Sequence, residues 1–302
     1  MRTLIPLLTL LLASTSFASD TSFDHTAAAQ LMAETDYAGT VIKSEQALAE
    51  NPNKLGLFEP LTKSYAYLGM FDAATQRTHE LYFESDADHP LLTLSGHCRY
   101  ALFHTMQGER EKALAAVDEM LTHETPDNIY PGAPACSTFF DTAWNNNERA
   151  EHNLQRVIEA APQLDALVFM PFLVHVKRDL GKAEEAQQLL VQLVQTRMAI
   201  ESGAMDEQID ANTDGVRTPA TEQIIQNWRA QVLILEGKPE QAVTAMRKAY
   251  EAGALFRYHW WKAVNPIFTD VRTDPQVQAL FADMEADIAK QLERVKLWLA
   301  AN

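Results

Sequence analysis

The stretch Gly181–Leu193, GKAEEAQQLLVQL, constrains the fold more than any other part of the chain. A glycine closes one helix, a polar pair makes the turn, and Ala186 opens a second amphipathic helix with Leu190 and Leu193 turned inward. Small residues are needed where two helix backbones approach closely, and large apolar ones recur three to four positions on. The same text returns at Gly69-Met-Phe-Asp-Ala-Ala74, Gly108-Glu-Arg-Glu-Lys-Ala113, Asn145-Asn-Asn-Glu-Arg-Ala150 and Gly237-Lys-Pro-Glu-Gln-Ala242. A fainter copy, Thr35-Asp-Tyr-Ala-Gly-Thr40, stands in front. With the small residue that opens each second helix as marker, the copies fall at Thr40, Ala74, Ala113, Ala150, Ala186 and Ala242, in steps of 34, 39, 37, 36 and 56 residues. One such unit cannot bury its apolar face alone. The units must therefore stack into an all-α array with a continuous core and capped ends.

Several units also stop at a proline: Pro52 in AENPNK, Pro126 in HETPDN and Pro162 in EAAPQL. The stretches SYAYLGMFDAA, TMQGEREKALAAVDEML, DLGKAEEAQQLLVQL and LEGKPEQAVTAMRKA resemble the tetratricopeptide repeat family, whose period is about 34 residues with two helices per unit. The resemblance covers about Thr21–Leu255 apart from one insertion. Pro134, Ser137 and Asp141 depart from it, standing where the family prefers bulky apolar residues. The resemblance implies six units in a right-handed α-solenoid: a repeat array over 19–256 with an insertion at about 198–220, then an aromatic junction and a capping helix over 257–302.

Residues 1–18 stand apart from the fold. Arg2, the apolar run Leu4–Ala13 and then Ser16-Phe17-Ala18 make a secretory leader, cut near Ala18. The expected location is therefore the periplasm of a bacterium or the extracellular space. The run is too short to span a bilayer, and no later stretch reaches the ~20 apolar residues a transmembrane helix needs. The chain carries 25 basic against 41 acidic residues, a net charge of −16. So acidic a surface repels phosphate backbones, and no basic cluster offers an exception, which argues against nucleic acid as a partner.

At the other end, Thr273-Asp274-Pro275 starts a helix with a capping side chain and a first-turn proline. Val277, Leu280, Phe281, Met284, Ile288, Leu292, Val295 and Trp298 form one apolar stripe along it. Its polar face carries Asp283, Glu285, Asp287 and Glu293, the wrong sign for a lipid surface and suited to a cap. The link before it, Phe256-Arg-Tyr-His-Trp-Trp261, wedges between the last repeat and this cap.

Catalytic signals are scarce. The sequence has no HExxH, phosphate loop, G-x-S-x-G, Cys/His zinc pattern or Rossmann glycine set, so no enzyme activity is expected. The densest histidine cluster, His79-Glu-Leu-Tyr-Phe-Glu84 with Asp86, Asp88 and His89, reads as a metal-ligand set or as a solvated turn before Pro90. By the resemblance, first helices line a concave groove that takes a protein or peptide. Its places fall on Glu59, Lys63, Tyr67, Leu102, Thr105, Met106, Phe139, Thr142, His175, Arg178 and Gln231. Leu102, Met106 and Phe139 would be its apolar floor, or they pack between neighbouring helices. The expected function is a non-catalytic protein- or peptide-binding scaffold of the envelope. The alternatives are a calcium- or small-ligand-responsive binding protein and an accessory subunit of an envelope enzyme.

Two further features leave alternatives open. Cys98 and Cys136 lie 38 residues apart at matching places in adjacent units, so they form a disulfide in an oxidising compartment or stay as two buried thiols. The insertion contains Asp210-Ala-Asn212-Thr-Asp214-Gly215, the D-x-N-x-D-G spacing of a calcium loop. The twelfth place holds Thr221 instead of a bidentate glutamate, and Arg217 stands in the loop. Asp210, Asn212 and Asp214 are thus ligands of a weak calcium site or members of a polar loop; no other cofactor is expected.

Overall fold

The computed structural model describes residues 23–84, 90–124, 132–206, 209 and 219–302, among which there is no strand. The chain runs α1 (His25–Ala33), α2 (Tyr37–Glu50), α3 (Phe58–Tyr67), α4 (Phe71–Tyr82), α5 (Pro90–Met106), α6 (Arg110–Thr122), α7 (Ala133–Ala143), α8 (Asn147–Ala160), α9 (Gln163–Asp179), α10 (Ala183–Glu201), α11 (Pro219–Leu235), α12 (Pro239–Glu251) and α13 (Pro275–Ala301). No helix among the described residues is long and apolar enough to cross a membrane.

One turn, used repeatedly, pairs these helices. Thr35, Gly69, Gly108, Asn145, Gly181 and Gly237 all take positive φ, between 56° and 78°. At Gly181 the residue's own N–H donates to Arg178 O (3.0 Å) and the N–H of Lys182 reaches back to Lys177 O (2.8 Å). The same two bonds recur around the other five residues. They satisfy carbonyls that a helix end leaves orphaned, and they need a left-handed residue between them. Glycine adopts it freely and asparagine readily. β-Branched Thr35 does so against its own steric preference. The N–H of Thr40, Ala74, Ala113, Ala150, Ala186 and Ala242 then bonds four residues back, and each of these residues is at most 1% exposed. A larger side chain at any of them would force the paired helices apart.

Units stack in order: the second helix of each packs on the first helix of the next, and first helices also touch one another from α5 to α7, α7 to α9 and α9 to α11. The polar first helix α7 fits because its side chains bond within the layer. Ser137 and Thr138 donate to Pro134 O and Ala135 O (both 2.9 Å), and Asn153 donates to Ser137 Oγ (3.0 Å). Asp141, fully buried, accepts from Asn146 (3.1 Å) and Arg149 (2.8 Å). The insertion starts later than the spacing suggests, because α10 continues to Glu201 before Gly203 turns left-handed at φ 77°.

Gly253 (φ 98°) ends the last repeat and opens the junction: short turns over Ala254–Phe256, Arg257–His259, Trp260–Val264 and Pro266–Val271. This segment does more than fill the gap before the cap, because it lies inside the array. Trp260 meets Phe139 (5.5 Å between rings) and Phe172 (6.4 Å), Phe256 meets Tyr67 (5.4 Å), and His259 meets Phe71 (5.0 Å). Trp261, wholly buried, donates its indole N–H to Asn227 Oδ1 at 2.8 Å.

Asp274 caps α13 by accepting from the N–H of Gln276 (2.7 Å) and Val277 (3.4 Å). Val277, Leu280, Phe281, Met284, Ile288 and Val295 are buried beneath the helix. Its acidic face is occupied too: Asp283 pairs with Arg247 (3.0 Å), Asp287 accepts from Tyr250 (2.5 Å) and Glu285 pairs with Lys262 (2.6 Å). The far end of α13 packs on α2 of the first unit. Gln291 there accepts from Ala38 N–H (3.1 Å) and donates to Thr35 O (2.8 Å), while Arg294 pairs with Asp36 at 2.7 Å. A Cβ on Gly253 would lie 3.0 Å from the Thr35 methyl, so the last repeat also touches the first. The array closes on itself.

Candidate functional site

The concave face expected as an open groove is largely covered by the chain's own junction. Tyr67 is buried between Tyr37 (5.3 Å between rings) and Phe256. Phe139, half-buried, packs on Phe169 (5.4 Å), Phe172 (5.2 Å) and Trp260 at the edge of the core, so its ring is partly covered where an open floor is expected. Thr105 is buried and accepts from the Trp144 indole at 3.1 Å, and buried Thr142 donates to Thr138 O at 2.6 Å. Leu102 and Met106 are half-buried, and Leu102 packs against the interior. Gln231 is buried and accepts from Asn265 of the junction at 3.5 Å. His175 is half-buried beside Asp179 (3.5 Å), and burial lowers its pKa. Arg178 is exposed, donates to Leu235 O at 3.0 Å, and lines a shallow surface groove with Leu190, Val191 and Val194. The physical reason for the difference is the junction: its aromatic side chains fill the space that first helices of an open array leave to a ligand.

What the junction leaves is polar. Glu59 and Lys63 on α3 face each other one helical turn apart and form an ion pair. From α5, Arg99 brings Nη2 within 3.3 Å of Glu59 Oε1, and its Nε donates to Tyr82 OH at 2.9 Å. From the junction, Arg257 stacks over the Phe256 ring at 4.6 Å with Tyr37 and Tyr67 beside it. Burial alone would raise the Glu59 carboxyl, but the Lys63 and Arg99 cations hold it below the ordinary carboxylate range. Burial lowers the Lys63 ammonium, with Arg99 and Arg257 adding to the effect and Glu59 opposing it. Burial also pushes Arg257 down to about 10, and only the two tyrosines oppose it. The Arg257 Nε is buried with no hydrogen-bond partner. Glu59 keeps 23% of its side-chain surface and Arg257 is half-buried, so both reach solvent. Lys63 and Arg99 therefore share the Glu59 carboxylate, and no carboxylate is among the groups acting on Arg257.

The groove positions Glu59, Lys63 and Tyr67 do converge here, whereas Arg99 and Arg257 were not among the expected site residues. The available signal was Arg257 itself, a charge set inside the aromatic run Phe256–Trp261. Cys98 of α5 and Cys136 of α7 are joined in a disulfide with Cα atoms 6.2 Å apart, tying adjacent first helices. Asp210, Asn212 and Asp214 lie outside the described residues, as do Asp86, Asp88 and His89. The described part of that histidine cluster is internally bonded: His79 contacts Glu84 (3.1 Å) and Tyr100 OH (3.0 Å). The leader 1–18 also lies outside the described residues.

No family model matches the chain, and no curated protein matches it. A solved structure, a tetratricopeptide repeat protein from Parabacteroides merdae ATCC 43184, is similar over 78% of this chain and 80% of that one, with a TM-score of 0.48 and 14% identity. With its repeated left-handed turns and ordered helix pairs, the chain is an all-α solenoid of stacked helix pairs, closed by its C-terminal helix.

Proposed function

We propose that this chain is an exported, non-catalytic binding protein whose protein or peptide partner places one acidic side chain beside Arg99 and Arg257. The observation that carries the proposal is Arg257: a half-buried guanidinium beside two tyrosines whose Nε is itself buried and unpartnered. A cation whose buried N–H lacks a partner is costly and is rarely retained without an anion to meet it. The net charge of −16 shapes which anion can arrive. A strongly acidic segment is repelled at a distance, whereas a single carboxylate flanked by apolar or basic residues is not. Tyrosines, cations and one carboxylate suit the binding of charge more than acyl or phosphoryl transfer. Export is supported by the leader-like start of the sequence and by the Cys98–Cys136 bridge, a bond that persists in oxidising compartments.

The test is co-purification from an envelope extract with the wild type and with Arg257→Gln, followed by mass spectrometry. The variant relieves a buried charge and is expected to fold, which its melting curve checks. A partner held by the wild type and lost by the variant supports anchoring at Arg257, and loss of wild-type binding by a Glu→Gln or Asp→Asn version of the captured segment locates the anchor. Equal capture by both proteins would place binding elsewhere.

A further inference from the structure

We propose that His97, Glu119 and His123 form a binding site for a divalent transition-metal ion of the zinc class. One ligand atom from each of the three lies within 4.8 Å of the others. Glu119 and His123 are four residues apart at the end of α6, so helix geometry puts them on one face. His97 comes from α5, the other helix of the same unit, and its ring lies 6.0 Å from that of His123 at an interplanar angle of 20°. Two imidazoles and one carboxylate are a zinc donor set that keeps a fourth position for water, with ligand distances near 2.0–2.1 Å. Ligands at that distance stand about 3.4 Å apart around a tetrahedron. The present spacing is therefore looser than a bound ion's, and Glu119 and His123, both exposed, are the side chains that would turn to close it.

The scaffold beneath the three residues is fixed. His97 packs its ring against Phe83 at 4.8 Å, and the next residue, Cys98, is bridged to α7. After His123, Glu124 pairs with Arg156 of α8 and its N–H donates to Leu121 O at 3.1 Å. Such anchoring lowers the ordering cost of binding. A single carboxylate is a poor set for calcium or magnesium, which take mostly oxygen ligands. Copper and nickel would compete with zinc for the same nitrogens. A bound ion would fasten the end of α6 to α5, in the unit that also carries the disulfide.

The experiment uses the full chain, stripped with a chelator and then melted with zinc, calcium or magnesium, alongside calorimetric titration with zinc. Zinc at a hundredfold excess over Kd should raise the Tm by about 5 °C with one ion per chain, and calcium or magnesium should do nothing comparable. His97→Ala and His123→Ala should abolish the shift and the stoichiometric binding, while exposed His152→Ala keeps both. The metal-free melt of His123→Ala is recorded as well, so that loss of the zinc shift is read separately from any loss of folding. No zinc-dependent shift in the wild type, or an undiminished shift in His123→Ala, would overturn the site.

Discussion

His259 is the side chain with most to lose in acid. It packs against Phe71 and the turn at Gly69, and burial lowers its pKa to about 4, with the Tyr67 backbone only partly opposing. Lys262 and Glu285 are its charged neighbours, and their influences run in opposite directions. An unfolded histidine titrates near 6.5, so between that pH and about 4 the unfolded chain binds more protons than the folded one. Its contribution is fully present above pH 6.5 and disappears as pH falls through that window. The loss is on the order of 3 kcal/mol. Burial lowers His25 and His175 in the same sense, so the effects add. Urea unfolding at pH 7 and pH 4.5 should show this fall, and His259→Gln should lose markedly less. Equal losses in both proteins would mean that His259 is solvated. Neither its burial nor that of Arg257 was legible in the run FRYHWW, because local pattern says that a segment is aromatic and not what it packs under.

At the level of elements, the helix pairs were legible because each unit repeats its instruction locally. The left-handed residue at Gly69, Gly108, Gly181 and Gly237, and the small residue that follows it, are written within a few positions of each other. Asn145 and Thr35 were legible only by register, since neither is glycine. The weak match of α7 had a physical origin: its polar side chains bond to their own helix and to Asn153, which no apolar template anticipates. The bridge between Cys98 and Cys136 was open on spacing alone and is settled by the approach of α5 to α7. It closes a loop of 38 residues, for which chain entropy gives about 4 kcal/mol. Cys98→Ser/Cys136→Ser should lower the guanidinium midpoint accordingly, with reduced wild type matching the double variant. An unchanged midpoint would show that α5 and α7 hold together without it.

The feature least visible in the sequence belongs to the whole molecule. Contacts such as Arg294–Asp36 and Gln291–Thr35 join residues 258 and 256 positions apart, and no period or motif records a separation of that size. The open groove was expected because a solenoid is usually imagined with two free ends. Here the ends meet and the junction is folded within. Linear repeat arrays sum unit and neighbour terms, so their terminal units fray first. Hydrogen exchange should find no such gradient in this chain: α2 and α13 should be protected as well as α9. Gln291→Ala/Arg294→Ala should restore fraying at both termini while leaving α9 unchanged; ends that already exchange fastest in the wild type would show that the seam carries little energy. The same seam bears on how the chain reaches its fold. Local helix pairs form from contacts close in sequence, which are fast, whereas α13 cannot dock on α2 until the units between are in place. The seam therefore forms last, and a chain caught before it forms presents the apolar stripe of α13 to any neighbour in the same state.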